Sequence, residues 1–466
     1  MTNATEVLAP LPITTAPLHR AASAGSRRWI SDWRPEDPAF WERSGARIAR
    51  RNLMFSILSE HIGFCVWSMW SALVLFLGPE YGLDPGKKFL LTTLPTAVGA
   101  TLRIPYTLAV AKFGGRNWTV VSALLLLIPT ISCAIILRPG VSFGTLLLAA
   151  TLAGVGGGNF SSSMANIDSF YPTRLKGWAL GLNAGGGNLG VAVVQLAALA
   201  VLAIAGKEHP RVLVLSFVPL IVLATVCAWR YMDNLTVATN DQRAMRDVIR
   251  EPHTWSTCFL YIGTFGSFVG FSFAFGQVLQ VQFADTFSTP VKAAYLTFLG
   301  PLIGSLMRPV GGRMADRAGA ARITFWTFFA MVLGAAVVVT ASVTENLAMF
   351  LLGFLVLFVL SGIGNGSIYK MIPLVFLGKA DRQIAAGADA DAAVKSARRL
   401  TRSLIGLAGS IGAFGGVLVN LGLRQSFLSA KTGTGAYVGF IVFYALCLCV
   451  TWTVYVRPTR RAAVAA

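Results

Sequence analysis

Apolar residues fill this 466-residue chain in long blocks, and polar residues fall mostly in the short links between them. A block that crosses a ~30 Å hydrocarbon layer as a helix needs ~20 residues. Twelve blocks qualify, at roughly 53–78, 87–111, 117–137, 143–169, 177–205, 211–231, 254–283, 292–314, 321–343, 346–377, 399–423 and 435–456. The pattern predicts an all-α membrane protein with 12 transmembrane helices. Its longest polar link, 232–252, divides the spans six and six. The expected organisation is a cytoplasmic tail over 1–52, a six-helix bundle over 53–231 and a cytoplasmic linker over 232–253. A second six-helix bundle follows over 254–456, then a cytoplasmic tail over 457–466.

Composition agrees: 55% hydrophobic and 13% charged residues, with mean hydropathy +0.65, leave too few charges to cover water-facing domains of this size. A net charge of +19 would suit nucleic acid, but its placement points to topology instead. Of 39 Lys and Arg, 28 fall in the tails and even-numbered links, among them Arg20, Arg27, Arg28, Arg50, Arg51, Arg246 and Arg402. The odd-numbered links hold 8. This asymmetry predicts that both termini are cytoplasmic, with no nucleic-acid partner. Residues 1–52 show no apolar run before a small-residue cleavage site, so no cleavable signal peptide is expected. The six cysteines lie in apolar spans without metal-ligand spacing, and no metal or cofactor is expected.

The second half repeats the first. "GATLRIP" in span 2 and "GSLMRP" in span 8 both read Gly-x-x-x-Arg with proline close behind, and a glycine follows each arginine by 11 residues (Gly114, Gly319). "GVGGGNF" (154–160) is echoed by "GIGNGSI" (362–368), and "GLNAGGGNLGV" (181–191) by "GLAGSIGAFGGV" (406–417). Parallel six-helix repeats around a midplane site are a transporter architecture. Small residues four apart let membrane helices approach closely. Gly154/Gly158, Gly181/Gly185, Gly362/Gly366 and Gly412/Gly416 have that spacing, and faces on which the two halves slide are one reading of it beside static packing.

Three cations remain at membrane depth: Arg103, Arg308 and Lys370. Arginine keeps its charge at any biological pH. An arginine at the bilayer centre costs about 3 kcal/mol on insertion scales. Few acids stand nearby in sequence: Glu60 in span 1, Asp168 at the end of span 4 and Asp316 after span 8. Arg103 and Arg308, at equivalent repeat positions, are therefore expected to face a central cavity that wants an anion. Their planar forks match a flat, monovalent oxyanion better than tetrahedral phosphate or sulfate.

The stretch "GGGNFSSSMANIDSFYPTRLKGWALGLNAGGGNLGV" (156–191) closely resembles the signature of the nitrate/nitrite porter family (NarK-type) of the major facilitator superfamily. "GIGNGSIYKMIPLVF" (362–376) looks like its second copy, and "GGRMADRAGAAR" has the look of that superfamily's loop. The resemblance covers nearly the whole chain. It implies transport of nitrate and nitrite across the inner membrane of a bacterial cell, in nitrate respiration or assimilation, by a monomer. Carried over by motif, Arg103 and Arg308 would clamp the substrate and Asn183 would donate a hydrogen bond to it. Phe160, Tyr261 and Phe265 would form the aromatic walls. Lys370, Asp168 and the pair Glu60–His61 depart from well-known exchangers of this type and add charged or titratable groups that could take part in coupling.

The expected mechanism is alternating access with nitrate exchanged for nitrite. The alternatives are proton-coupled nitrate symport, through Glu60, His61 or Asp168, and a non-transporting anion sensor. An enzyme is not expected: His19, His61, His209 and His253 are scattered, and no nucleotide-binding motif is present. Residues 379–402 are expected to form a surface helix.

Overall fold

The computed structural model describes residues 28–236 and 242–457. His19, Arg20, Arg27 and most of both tails lie outside the described residues. The long helices are α1 (Ala46–Leu73), α2 (Pro85–Phe113), α3 (Gly115–Ile136), α4 (Phe143–Phe170), α5 (Thr173–Ile204) and α6 (Pro210–Tyr231). They continue as α7 (Pro252–Gln282), α8 (Leu299–Ala318), α9 (Ala320–Val343), α10 (Leu347–Ala385), α11 (Ala390–Ala430) and α12 (Thr434–Val456). Among the described residues, nine of these are long and apolar enough to cross a membrane. The other three, α1, α2 and α8, are more polar along their length and carry Glu60, Arg103 and Arg308.

Local chemistry sets the helix ends. Asp84 caps α2 by accepting from the Lys87 amide, with Pro85 in the first turn. The repeated glycines explain themselves at the other end. Gly114 and Gly319 both stop their helices at φ +87°, a conformation that favours glycine, and the next helix starts at the following residue. Pro105 and Pro309 sit inside α2 and α8 directly behind the arginines and remove one helical hydrogen bond each.

In the first half α1 packs on α4 and α5, and α2 on α4; in the second, α10 packs on α8 and α9. Across the halves α2 lies along α11 and α5 along α8. Near the link end, Trp29–Ile30 pairs in parallel with Asn234–Leu235. There Asp233 accepts from Arg51 Nη2 at 2.5 Å and Asn52 Nδ2 at 2.9 Å.

The block over 292–314 is interrupted by a one-residue turn at Phe298, where Pro290–Thr297 meets α8, as α3 is at Leu126 and α4 at Gly154. One expectation needs correction. Residues 379–402 form no separate surface helix, because α10 continues to Ala385 and α11 starts at Ala390 behind an Asp389 cap. Helix-forming alanines and charges extend both spans beyond their apolar lengths.

Candidate functional site

Five helices, α2, α4, α7, α8 and α11, supply the two arginines and their hydrogen-bond partners. Arg103 of α2 is fully buried. Its Nε donates to the Gly157 carbonyl of α4 at 3.2 Å and its Nη1 to the Gly409 carbonyl of α11 at 2.5 Å. The Gly157 carbonyl comes so close because its residue lacks a side chain. A Cβ on Gly157 would meet Gly99 Cα at 2.7 Å and the Trp67 indole at 2.9 Å. Arg308 of α8 donates from Nη2 to the Tyr261 hydroxyl at 3.1 Å. One terminal nitrogen of each fork, Arg103 Nη2 and Arg308 Nη1, is buried without a hydrogen-bond partner. Neither guanidinium forms an ion pair with an acid among the described residues.

Aromatic rings line the arginines. The Arg103 guanidinium carbon lies 4.5 Å from the Phe160 centroid, 5.0 Å from Phe265 and 5.3 Å from Trp67. That of Arg308 lies 4.8 Å from Tyr369, 5.8 Å from Phe160 and 5.9 Å from Phe265. Desolvated cation–π contacts of this kind contribute about 2 kcal/mol or more. Tyr261 and Phe265 stack at 5.1 Å and 7°, on a helix that widens into a π-turn over Ile262–Gly266. Such turns inside α-helices recur at functional sites. Gly412 lets the Tyr261 ring lie flat against α11, since a Cβ there would strike it.

Comparisons with known proteins show the family to which the chain belongs. The Major Facilitator Superfamily profile matches residues 57–418. The nitrate/nitrite transporter NarU of Escherichia coli (strain K12) is 37% identical over 93% of this chain and 97% of its own length. The probable nitrate/nitrite antiporter NarK2 of Thermus thermophilus is 33% identical over 92% of this chain and 97% of its length. The crystal structure of the D-xylose–proton symporter superposes with TM-score 0.61 over 87% of this chain and 98% of its own, at 14% identity. The chain belongs to the major facilitator superfamily, in its nitrate/nitrite porter branch. It is a multi-pass membrane transporter and not an enzyme.

Within this porter the expected residues separate into three groups. Arg103, Arg308, Phe160, Tyr261 and Phe265 share one buried site. Asn183 stands beside it, with its Nδ2 bonded to Glu60 Oε2 at 2.7 Å and Ser163 Oγ at 2.6 Å. The rest lie elsewhere. His61 Nδ1 faces the Gly186 carbonyl at 2.9 Å. Lys370 pairs with Asp316 at 2.8 Å, and Asp168 is shared by Lys176 at 2.8 Å and Arg402 at 2.7 Å.

The glycines also divide. Gly154 and Gly158 abut Val98 and Tyr106 of α2, and Gly362 and Gly366 abut the Gly304 and Arg308 carbonyls of α8, all inside their own halves. Gly185 approaches Ser305 and Pro309 across the halves, and Gly416 approaches Thr96. Gly181 meets nothing within 4 Å. Sequence reasoning missed Trp67, Tyr369 and Gly409. Tyr369 is the immediate neighbour of the singled-out Lys370, but nothing in the pattern favoured it over other aromatics.

Proposed function

We propose that this porter carries nitrate and nitrite by alternating access, the anion held between Arg103 and Arg308. The observation that carries this reading is the pair of buried forks, each with an unpartnered nitrogen and no carboxylate upon it. The Phe160 distances put the two guanidinium carbons no more than about 10 Å apart. At an effective dielectric of ~20 they repel by about 2 kcal/mol at that distance. An anion ~4 Å from both would gain about 4 kcal/mol from each on the same scale. The loaded site is thus electrostatically relaxed and the empty one strained.

That difference favours obligatory exchange, because only the loaded carrier reorients easily. Nitrate against nitrite moves no net charge. Phe160 and Phe265 stack with centroids 5.9 Å apart. A flat ion between two ring faces needs about 7 Å, two contacts of ~3.5 Å, so it parts the rings by about 1 Å. One ring comes from each half, so the two six-helix bundles over 53–231 and 254–456 would rock around the bound ion, with both termini in the cytoplasm of a bacterium. NarU's name supports the choice of substrates.

The test is flux in liposomes. Labelled nitrate should enter vesicles loaded with nitrite and not empty ones; equal entry into both rules out obligatory exchange. A second reading, proton-linked uptake, is favoured by one observation: a carboxyl group, Glu60, is buried beside the clamp.

A further inference from the structure

Glu60 is fully buried in α1. Its Oε2 accepts from Asn183, and its Oε1 has no partner at all. A Cβ on Gly187 of α5 would collide with this carboxyl, so the glycine makes its room. The charges that act on it are Arg308 of α8 and Arg103 of α2. From α4 it is approached by Ser163, from α5 by Asn183, and on its own helix by His61, whose ring is engaged elsewhere. Its donors are the Asn183 amide and the Ser163 hydroxyl. With Oε1 left unpartnered, a buried carboxylate here is incompletely satisfied, its negative charge offsetting the clamp's positive one.

Asn183 is the link between acid and clamp. Both hydrogens of its Nδ2 are taken, by Glu60 and Ser163, while its Oδ1 is buried and unpartnered. In this state the amide has no donor left for an anion. The two ends of an asparagine amide exchange by a half-turn. Once Glu60 gains a proton its hydroxyl donates, and Asn183 meets it by turning Oδ1 toward it. The NH2 group is then released to donate to an anion.

We propose that Glu60 is a proton-binding site coupled to the anion site through Asn183, so that proton and anion bind cooperatively. This rests on the arginine clamp as the place of the anion. Protonation removes a negative charge next to the clamp and frees a hydrogen-bond donor, and both effects tighten anion binding. By linkage, anion binding must equally tighten the proton. A polar file gives the proton a route. Asn52, Ser56 and Glu60 follow one face of α1 at four-residue steps; Ser56 Oγ lies 2.8 Å from Ser163 Oγ, and Asn52 reaches Asp233 at the link end.

The test titrates nitrate into the purified full-length chain between about pH 6 and pH 9, in two buffers of different ionisation enthalpy. Wild type should take up protons on binding nitrate, and its affinity should fall with rising pH by up to about tenfold per unit. Glu60→Gln, which mimics the protonated acid, should bind nitrate at every pH with no such slope. Wild type binding without proton uptake, or Glu60→Gln retaining the full slope, overturns the proposal. Failure of the clamp itself would read differently, as nitrate binding that survives Arg308→Gln.

Discussion

Phe160 of α4 and Phe265 of α7 stack across the two halves at 5.9 Å and 27°, and both guanidiniums lie within 6 Å of both rings. Among the described residues this ring pair lies against both arginines. It stands between two cations that have no carboxylate bonded to them, and it belongs to neither half alone.

Shortening one ring should therefore weaken the anion more than the fold. Phe265→Leu keeps most of the apolar volume and removes the ring face, a change of about 1–2 kcal/mol for two cations. The KM for nitrate in reconstituted flux should rise roughly tenfold, with the melting temperature little changed. An unaltered KM would show that the rings are packing alone.

Much of this site was legible in the sequence because membrane burial makes charge conspicuous. Arg103 and Arg308 stood out as cations in apolar blocks, and the repeat tied each to a glycine that stops its helix. Tyr261 and Phe265 were readable as one face, though the π-turn that stacks them at 7° was not. What remained hidden depends on partners far along the chain. Asp168 and Lys370 looked like candidates for coupling, yet each is matched by an opposite charge that spacing does not reveal. The carbonyl of Gly409, more than 300 residues from Arg103, has no sequence signal at all.

A second prediction concerns the glycines. A Cβ on Gly366 would strike the Arg308 carbonyl and the Gly312 amide, backbone atoms that move only with α8. Gly366→Ala should lower stability by about 1–3 kcal/mol and shift the arginine. Melting temperature and nitrate affinity should fall together; a stable variant of normal affinity contradicts this packing.

Asp168 joins the halves, since Lys176 belongs to α5 and Arg402 to α11. Breaking an ion pair of this exposure changes about 0.2–1 kcal/mol. Asp168→Asn should therefore raise the population open on this side by up to about fivefold. Spin labels on the α4–α5 and α10–α11 links should report more long distances in the variant, and unchanged distributions would count against a latch.

Glu36 fastens the segment before α1 by accepting from the Thr173 amide at 3.0 Å and hydroxyl at 2.5 Å. Burial pushes its carboxyl up, but these hydrogen bonds with the charges of Arg398 and Lys176 prevail and hold it below the ordinary 4.5. A lowered carboxyl pKa gives a contribution that is complete above the ordinary value and lost as pH falls through the lowered one. Amide protection over residues 29–41, taken relative to the intrinsic exchange rate at each pH, should accordingly fall on acidification below about pH 4.5. Glu36→Gln should show no such step.

The central claim is that two arginines with no carboxylate bonded to them hold the anion together. Equilibrium binding of nitrate to purified Arg103→Gln and Arg308→Gln tests it most directly. Each change removes a charged hydrogen-bonding fork, so each should weaken nitrate by about 100-fold or more while the protein stays folded. Either variant binding nitrate within a factor of about three of wild type would contradict the clamp.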